Sequence, residues 1–260
     1  MDNYRIWISF YTMLRKDVVR MFRIWAQTFL PSVVTSVLYF LVFGSVLGPR
    51  IGDMQGVDYM QFVVPGLVML AVITNAYANT SFMFFQSKFF FRGIDEILVS
   101  PTPPWVMIAG FISGGVVRGV LVGALVLAIS VFFTGLSLSI HSLLIILGFG
   151  ILTAFVFSLA GLVNGIYAKS IDAINIVPTF VLTPLVYLGG IFFSVHVLPA
   201  WAQAVMYGNP LFYLINGFRY GFLGTADIPV SIAVGMLFGM IAVLVALNWY
   251  FIRTGMGLKQ

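Results

Sequence analysis

The chain has 260 residues, 61% of them hydrophobic and 16% aromatic, and only 8% charged, with 13 Lys+Arg against 8 Asp+Glu. Soluble domains carry about 25% charged residues, so a globule this poor in charge could not cover a water-facing surface; a soluble enzyme, a nucleic-acid-binding module and a disordered chain are all excluded. The net charge of +5 then fits a membrane protein whose Lys and Arg stay on the untranslocated side.

Residues 1–23 read as an amphipathic helix. Trp7, Phe10, Tyr11, Leu14, Val18, Met21 and Phe22 recur at helical spacing, and Arg5, Ser9, Thr12, Lys16, Arg20 and Arg23 recur on the other face. With Arg15, these basic residues interrupt any apolar run before Ile24, so the segment is not read as a signal peptide. Two readings stand for it: an interfacial helix on the inner leaflet, or a contact for a cytoplasmic partner.

Residues 24–260 read as one all-α membrane domain. A crossing helix needs about 20 apolar residues, and charge-poor stretches of that kind lie near 24–47, 62–86, 105–133, 142–167, 174–193 and 230–252. A further apolar region, 198–223, is broken by Pro199, Gly208-Asn209-Pro210 and Arg219, and reads as re-entrant or interfacial. Between the second and third spans, residues 87–101 combine charges of both signs with Phe91, Ile94, Ile97 and Leu98 at three- and four-residue spacing, and Pro101, Pro103 and Pro104 stop the pattern. This is a short cytoplasmic helix, either coupled rigidly to the third span or lying on the bilayer.

With the N-terminus inside, ten Lys and Arg fall on inside loops and only Arg50 and Arg219 outside, so both termini are expected in the cytoplasm. Arg118 is the one charge within a span, at a cost of about 2.5–3.5 kcal/mol on insertion scales. It either bonds to carbonyls, hydroxyls or water, or meets an anionic substrate or headgroup. Arg219 reads as a structural residue of the external region. Asn75, Asn79, Asn175, Thr183 and Tyr187 bring polar groups into spans 2 and 5, as pathway lining or as interhelical hydrogen-bonding groups. With so few of them, a pathway would be largely apolar and suited to an amphipathic or lipid-like substrate.

All eight acidic residues fall outside the spans, which weighs against proton coupling. Lys169-Ser170 is the only Lys followed by Ser or Thr, and Val163 and Ala168 stand where a P-loop needs glycine. There is no cysteine, and His141 and His196 are too few for a His-rich metal site. No catalytic or metal-binding residues are expected, and active transport would need another polypeptide to supply energy.

The run Arg92-Gly93-Ile94-Asp95-Glu96-Ile97-Leu98-Val99-Ser100-Pro101 resembles the cytoplasmic-loop signature of ABC-2 type transporter permeases, the membrane subunits of one class of ATP-binding-cassette exporters. Leu198-Pro199-Ala200-Trp201, Gly208-Asn209-Pro210 and Arg219-Tyr220-Gly221 resemble the family's external pattern of a Pro-Trp turn, an Asn-Pro and an Arg before the last span. The resemblance covers essentially the whole chain. It implies a bacterial inner-membrane exporter subunit that pairs with a second permease, most simply its own copy, and with two ATPase subunits carrying ATP and Mg. This chain would hold no cofactor and bind no nucleic acid. Phe91, Arg92, Ile94, Asp95, Glu96 and Leu98 would form the coupling helix on the ATPase. Residues 1–23, with Arg15, Lys16, Arg20 and Arg23, would be the connecting helix. Asn209, Pro210 and Arg219 would belong to an external roof, and spans 2 and 5 would line a path on the dimer axis among membrane lipids. The rivals are an ion-gradient-driven transporter and a non-transporting membrane scaffold.

Overall fold

The computed structural model describes residues 3–54, 56–90, 94, 96, 99–135 and 139–257. Helix α1 (Asn3–Arg23) turns at Ile24 into α2 (Trp25–Ile51), which widens to a π-helical stretch over Phe40–Leu47. A two-residue hairpin follows, with β1 (Asp53–Met54) antiparallel to β2 (Val57–Asp58) and Asp53 opposite Asp58. Asp58 then caps α3 (Tyr59–Phe89): its Oδ2 accepts from the Met60 amide at 3.1 Å, satisfying one of the orphan donors of the first turn.

Helix α3 is the axis of the bundle. It packs along α4 (Pro104–Thr134) and α5 (Ile140–Tyr167), and most of its residues are buried. Small residues on both neighbours allow this approach. Gly115 and Gly119 of α4 face Ala76, and Gly161 and Gly165 of α5 face the carbonyls of Tyr77 and Ser81. A Cβ on Gly161 would stand 2.5 Å from the Tyr77 oxygen, so only glycine fits there. The glycine pairs of α4 and α5 therefore serve packing within one chain. The pair Gly235 and Gly239 on α9 (Val230–Thr254) looks onto open space.

The stretch expected to span near 174–193 is a shorter helix, α6 (Ile171–Tyr187), begun by the Ser170 cap and interrupted by a π-helical turn at Pro178–Leu182. The two prolines account for the interruption. Pro184 has no amide to donate, and the Thr183 amide and hydroxyl both turn back to the Pro178 carbonyl, the hydroxyl at 2.9 Å. At one end, Asn164 of α5 donates to the Ile174 carbonyl at 2.9 Å. Just past the other end, Ile191 sits against Gly66 in the second turn of α3. The segment thus runs from the last turns of α5 to the first turns of α3. The broken region 198–223 forms two helices, α7 (Ala200–Tyr207) and α8 (Pro210–Leu223), and α8 packs on α3, α5 and α9.

Among the described residues, five helices (α2, α3, α4, α5 and α9) are long and apolar enough to cross a membrane. Lys88 fixes the direction of three of them. Its Nζ donates to the Ile166 carbonyl at 3.0 Å and to the Gly257 carbonyl at 2.5 Å, so the final turns of α3 and α5 meet the segment just past α9 at one end of the bundle. A buried cluster around Phe84, Met107, Leu162 and Ile252 fills that end, and a larger one around Phe62, Val72, Ala154 and Phe218 fills the rest.

Candidate coupling and pathway site

Phe91, Arg92, Asp95 and Leu98 of the expected coupling helix lie outside the described residues. Ile94 is 2% exposed and belongs to the cluster of Phe84, Met107 and Phe111, so it faces the bundle. Glu96 and Val99 are both exposed. The Ser100 amide donates to the Glu96 carbonyl at 3.1 Å, and the Ser100 hydroxyl donates to Thr102 Oγ1 at 2.8 Å. Pro103 and Pro104 then open α4, leaving little slack between Glu96 and that long helix.

Helix α1 docks on α4 by an edge of which the amphipathic pattern singled out only Met21. Trp7, Tyr11 and Phe22 of its apolar face are exposed. The docked residues are Met13, which sits against Gly110, and Asp17, which sits against Gly114. Asp17 and Met21 are both buried. Met13, Asp17 and Met21 are four apart, matching the four-residue spacing of Gly110 and Gly114, and that shared spacing is the signal in the sequence that identifies the edge. Burial pushes the Asp17 carboxyl above its usual range, against the opposing pull of Arg20 and Lys16. Burial likewise lowers the Arg20 guanidinium, with Asp17 opposing. Arg15, Lys16 and Arg23 are exposed.

Arg20 reaches into the bundle. Its Nη2 donates to Asn79 Oδ1 at 3.1 Å. Arg118 of α4 donates to the same oxygen at 3.5 Å and to the Thr28 carbonyl of α2 at 3.5 Å. Three helices therefore meet at one buried asparagine, and Arg118 ties in a fourth, α2. One turn away, Asn75 donates to Ser32 Oγ at 3.1 Å and to the Ala71 carbonyl at 2.9 Å. Asn75 and Ser32 also line a cavity of about 180 Å³ between α2 and α3, together with Thr35, Tyr39, Leu70 and Thr74. The remaining polar candidates lie on α6. Asn175, Thr183 and Tyr187 are all exposed there, and the Tyr187 hydroxyl meets that of Tyr39 at 3.3 Å.

At the far end of the bundle, Asn209 Oδ1 caps α8 by accepting from the Leu211 amide at 3.0 Å, while its Nδ2 donates to the Leu185 carbonyl at 2.6 Å, and Pro210 occupies the first position of the helix. Arg219 is fully buried. It donates to the Gly190 carbonyl, lies 3.8 Å from Asp227 Oδ2, and stacks its guanidinium 3.9 Å from the centre of the Phe62 ring. Asp227 in turn accepts from Ser194 at 3.0 Å, and its amide donates to Asn216 at 2.9 Å. These contacts surround the Arg219 guanidinium on three sides. Asp227, its partner, has no local sequence signal, because the two meet only once α8 is folded against the loop after it.

A bundle of long apolar helices with a flanking amphipathic helix and a polar crevice is the make-up of a polytopic membrane protein. The chain belongs to the ABC-2 type transporter family, whose model matches residues 8–223. It is 50% identical over 254 residues to the inner membrane transport permease YadH of Escherichia coli strain K12, covering 98% of each chain. It is 26% identical over 233 residues to the daunorubicin resistance ABC transporter permease protein DrrB1 of Streptomyces coeruleorubidus, covering 85% of this chain and 78% of the relative. Nodulation protein J of Rhizobium leguminosarum bv. viciae is 25% identical over 219 residues, covering 82% of this chain and 83% of the relative. The chain is thus a multi-pass inner-membrane subunit of an ABC transporter, a kind of subunit that works with an ABC ATPase and is not itself one.

Proposed function

We propose that this subunit is the passive gate of an exporter. Two copies form a homodimer, two ATPase chains holding ATP and Mg dock on the cytoplasmic side, and an amphipathic or lipid-like substrate leaves along the dimer axis. Both termini lie in the cytoplasm and α6 makes a sixth crossing. Residues 91–98 couple to the ATPase and α1 is the connecting helix. Arg15, Lys16 and Arg23 are exposed on α1, on the side where the ATPase or lipid headgroups would meet it. Asn75, Asn79, Arg118, Asn175, Thr183 and Tyr187 border the pathway, and Asn209, Pro210 and Arg219 stiffen its roof. Ile94 anchors the coupling segment to the bundle, and Glu96 is offered outward. Resistance, in the name of the Streptomyces relative, is what outward removal of a compound produces.

The observation that supports this reading most is the exposed face of α6, where Asn175, Thr179, Thr183 and Tyr187 lie on a helix broken by two prolines. Polar groups at bilayer depth do not face lipid without cost. A second copy and a pathway between the copies would cover them. The test is Glu96→Arg in proteoliposomes with the co-purified ATPase. ATP hydrolysis should persist while ATP-driven transport is lost and the dimer stays folded. Unchanged transport would remove the lever assignment, and solute movement by this chain alone without ATP would remove the passive gate.

A further inference from the structure

The crevice at Asn79 holds more positive charge and more donors than it satisfies. Arg20 and Arg118 both donate to one neutral oxygen, Asn79 Oδ1, so the donating nitrogens lie within about 7 Å of each other. Among the described residues neither guanidinium forms an ion pair. Asn79 is 2% exposed. Its Nδ2, the Nε of Arg20 and the Nε of Arg118 are all buried without a hydrogen-bond partner. Three orphan donors on side chains that share one hub are a costly arrangement. The ordinary remedy is an acceptor with several oxygens and a negative charge.

An entry route adjoins the crevice. A cavity of about 190 Å³ beside α1 is lined by Lys16, Asp17 and Arg20 on one side and by Met83, Gln86 and Ser87 of α3 on the other. It reaches the end of α3 where Lys88 gathers the helix ends. Asp17 is the one carboxylate on this wall, and it is turned against Gly114, so the positive side chains outnumber it.

We infer that Arg20, Asn79 and Arg118 form a binding site for a single phosphate group. Guanidinium forks hold phosphate by charge-assisted, often bidentate bonds, and a phosphate offers enough oxygens for both arginines and the amide at once, where a carboxylate offers two. The phosphate belongs either to a phospholipid headgroup or to a soluble phosphate ester. Because Arg20 comes from α1 and Arg118 from α4, the bound anion would also pin the connecting helix to the bundle.

The test uses the full chain without its ATPase, so its outcome does not depend on transport. In one arm, protein in phosphatidylglycerol nanodiscs is released into neutral detergent and retained lipid is counted by native mass spectrometry. In the other, delipidated protein is titrated with inorganic phosphate, with chloride as the control, and thermal unfolding is followed. Arg20→Gln and Arg118→Gln should each weaken binding at least tenfold, Arg118→Lys should restore part of it, and Arg253→Gln, an exposed cation elsewhere, should change nothing. Loss in the lipid arm alone assigns a headgroup, and loss in the phosphate arm assigns a soluble ester. Wild-type binding by both glutamine variants in both arms would overturn the site, as would an equal loss in Arg253→Gln. Arg20 lies outside the spans, so its variant carries the test should Arg118→Gln fail to fold.

Discussion

The buried Arg219 and the half-buried Arg118, toward opposite ends of the bundle, differ in how they are treated. Arg219, beneath the α7–α8 region, has a carboxylate, a carbonyl and an aromatic face within reach, and its carboxylate is held by Ser194. Arg118, in the crevice, shares a neutral amide with a second arginine. A charge whose partners all come from its own chain has been used up in folding. A charge left with a like-charged neighbour is held in reserve for something that arrives later.

Removing one partner at each end should break the two regions in opposite directions. Asp227→Ala leaves Arg219 buried and unpaired, and should cost about 3–5 kcal/mol. Thermal unfolding in detergent would read this as a large loss of midpoint and yield, and a double replacement of Arg219 and Asp227 by apolar residues of similar size should recover much of it. Arg118→Met at the other end removes an unpaired charge from the bundle, whose placement costs about 2.5–3.5 kcal/mol on insertion scales. Its stability should be unchanged or higher while transport falls. If both variants lose stability equally, the distinction between a spent charge and a reserved one fails.

Much of this architecture is legible in the residues alone. The charge-free runs near 62–86, 105–133, 142–167 and 230–252 mark α3, α4, α5 and α9, because a helix that crosses hydrocarbon must be continuously apolar and the stop signals are charges or Gly and Pro. The run at 174–193 is less regular than its composition implies. Prolines at 178 and 184 read as kinks, but hydropathy does not report that the chain would add a π-helical turn and end the helix at Tyr187. Asn79 and Arg118 read as polar residues within spans, yet their meeting with Arg20 does not, since three separate helices contribute. Asp17 was hidden for a related reason. On α1 alone it is one acid among basic residues, and only the glycine groove of α4 makes it a buried one.

Asp17 also supplies the mildest way to sharpen the comparison, because it is the charge nearest the crevice that a proton can remove. Its carboxyl titrates above the usual value of about 3.8 in the folded protein, chiefly through burial. The folded state therefore holds the proton more tightly than the unfolded chain does. The contribution of this group to stability is greatest below pH 3.8 and declines as pH rises through the raised value. At neutral pH the buried carboxylate is a net cost that Arg20 and Lys16 only partly offset. Asp17→Asn keeps the shape against Gly114 and removes the titration. The difference in unfolding midpoint between variant and wild type, taken at a series of pH values, should move in favour of the variant as pH rises and should vanish in acid. A difference that stays flat with pH would mean that Asp17 is solvated in the folded protein, and that α1 does not press its acid into the groove of α4.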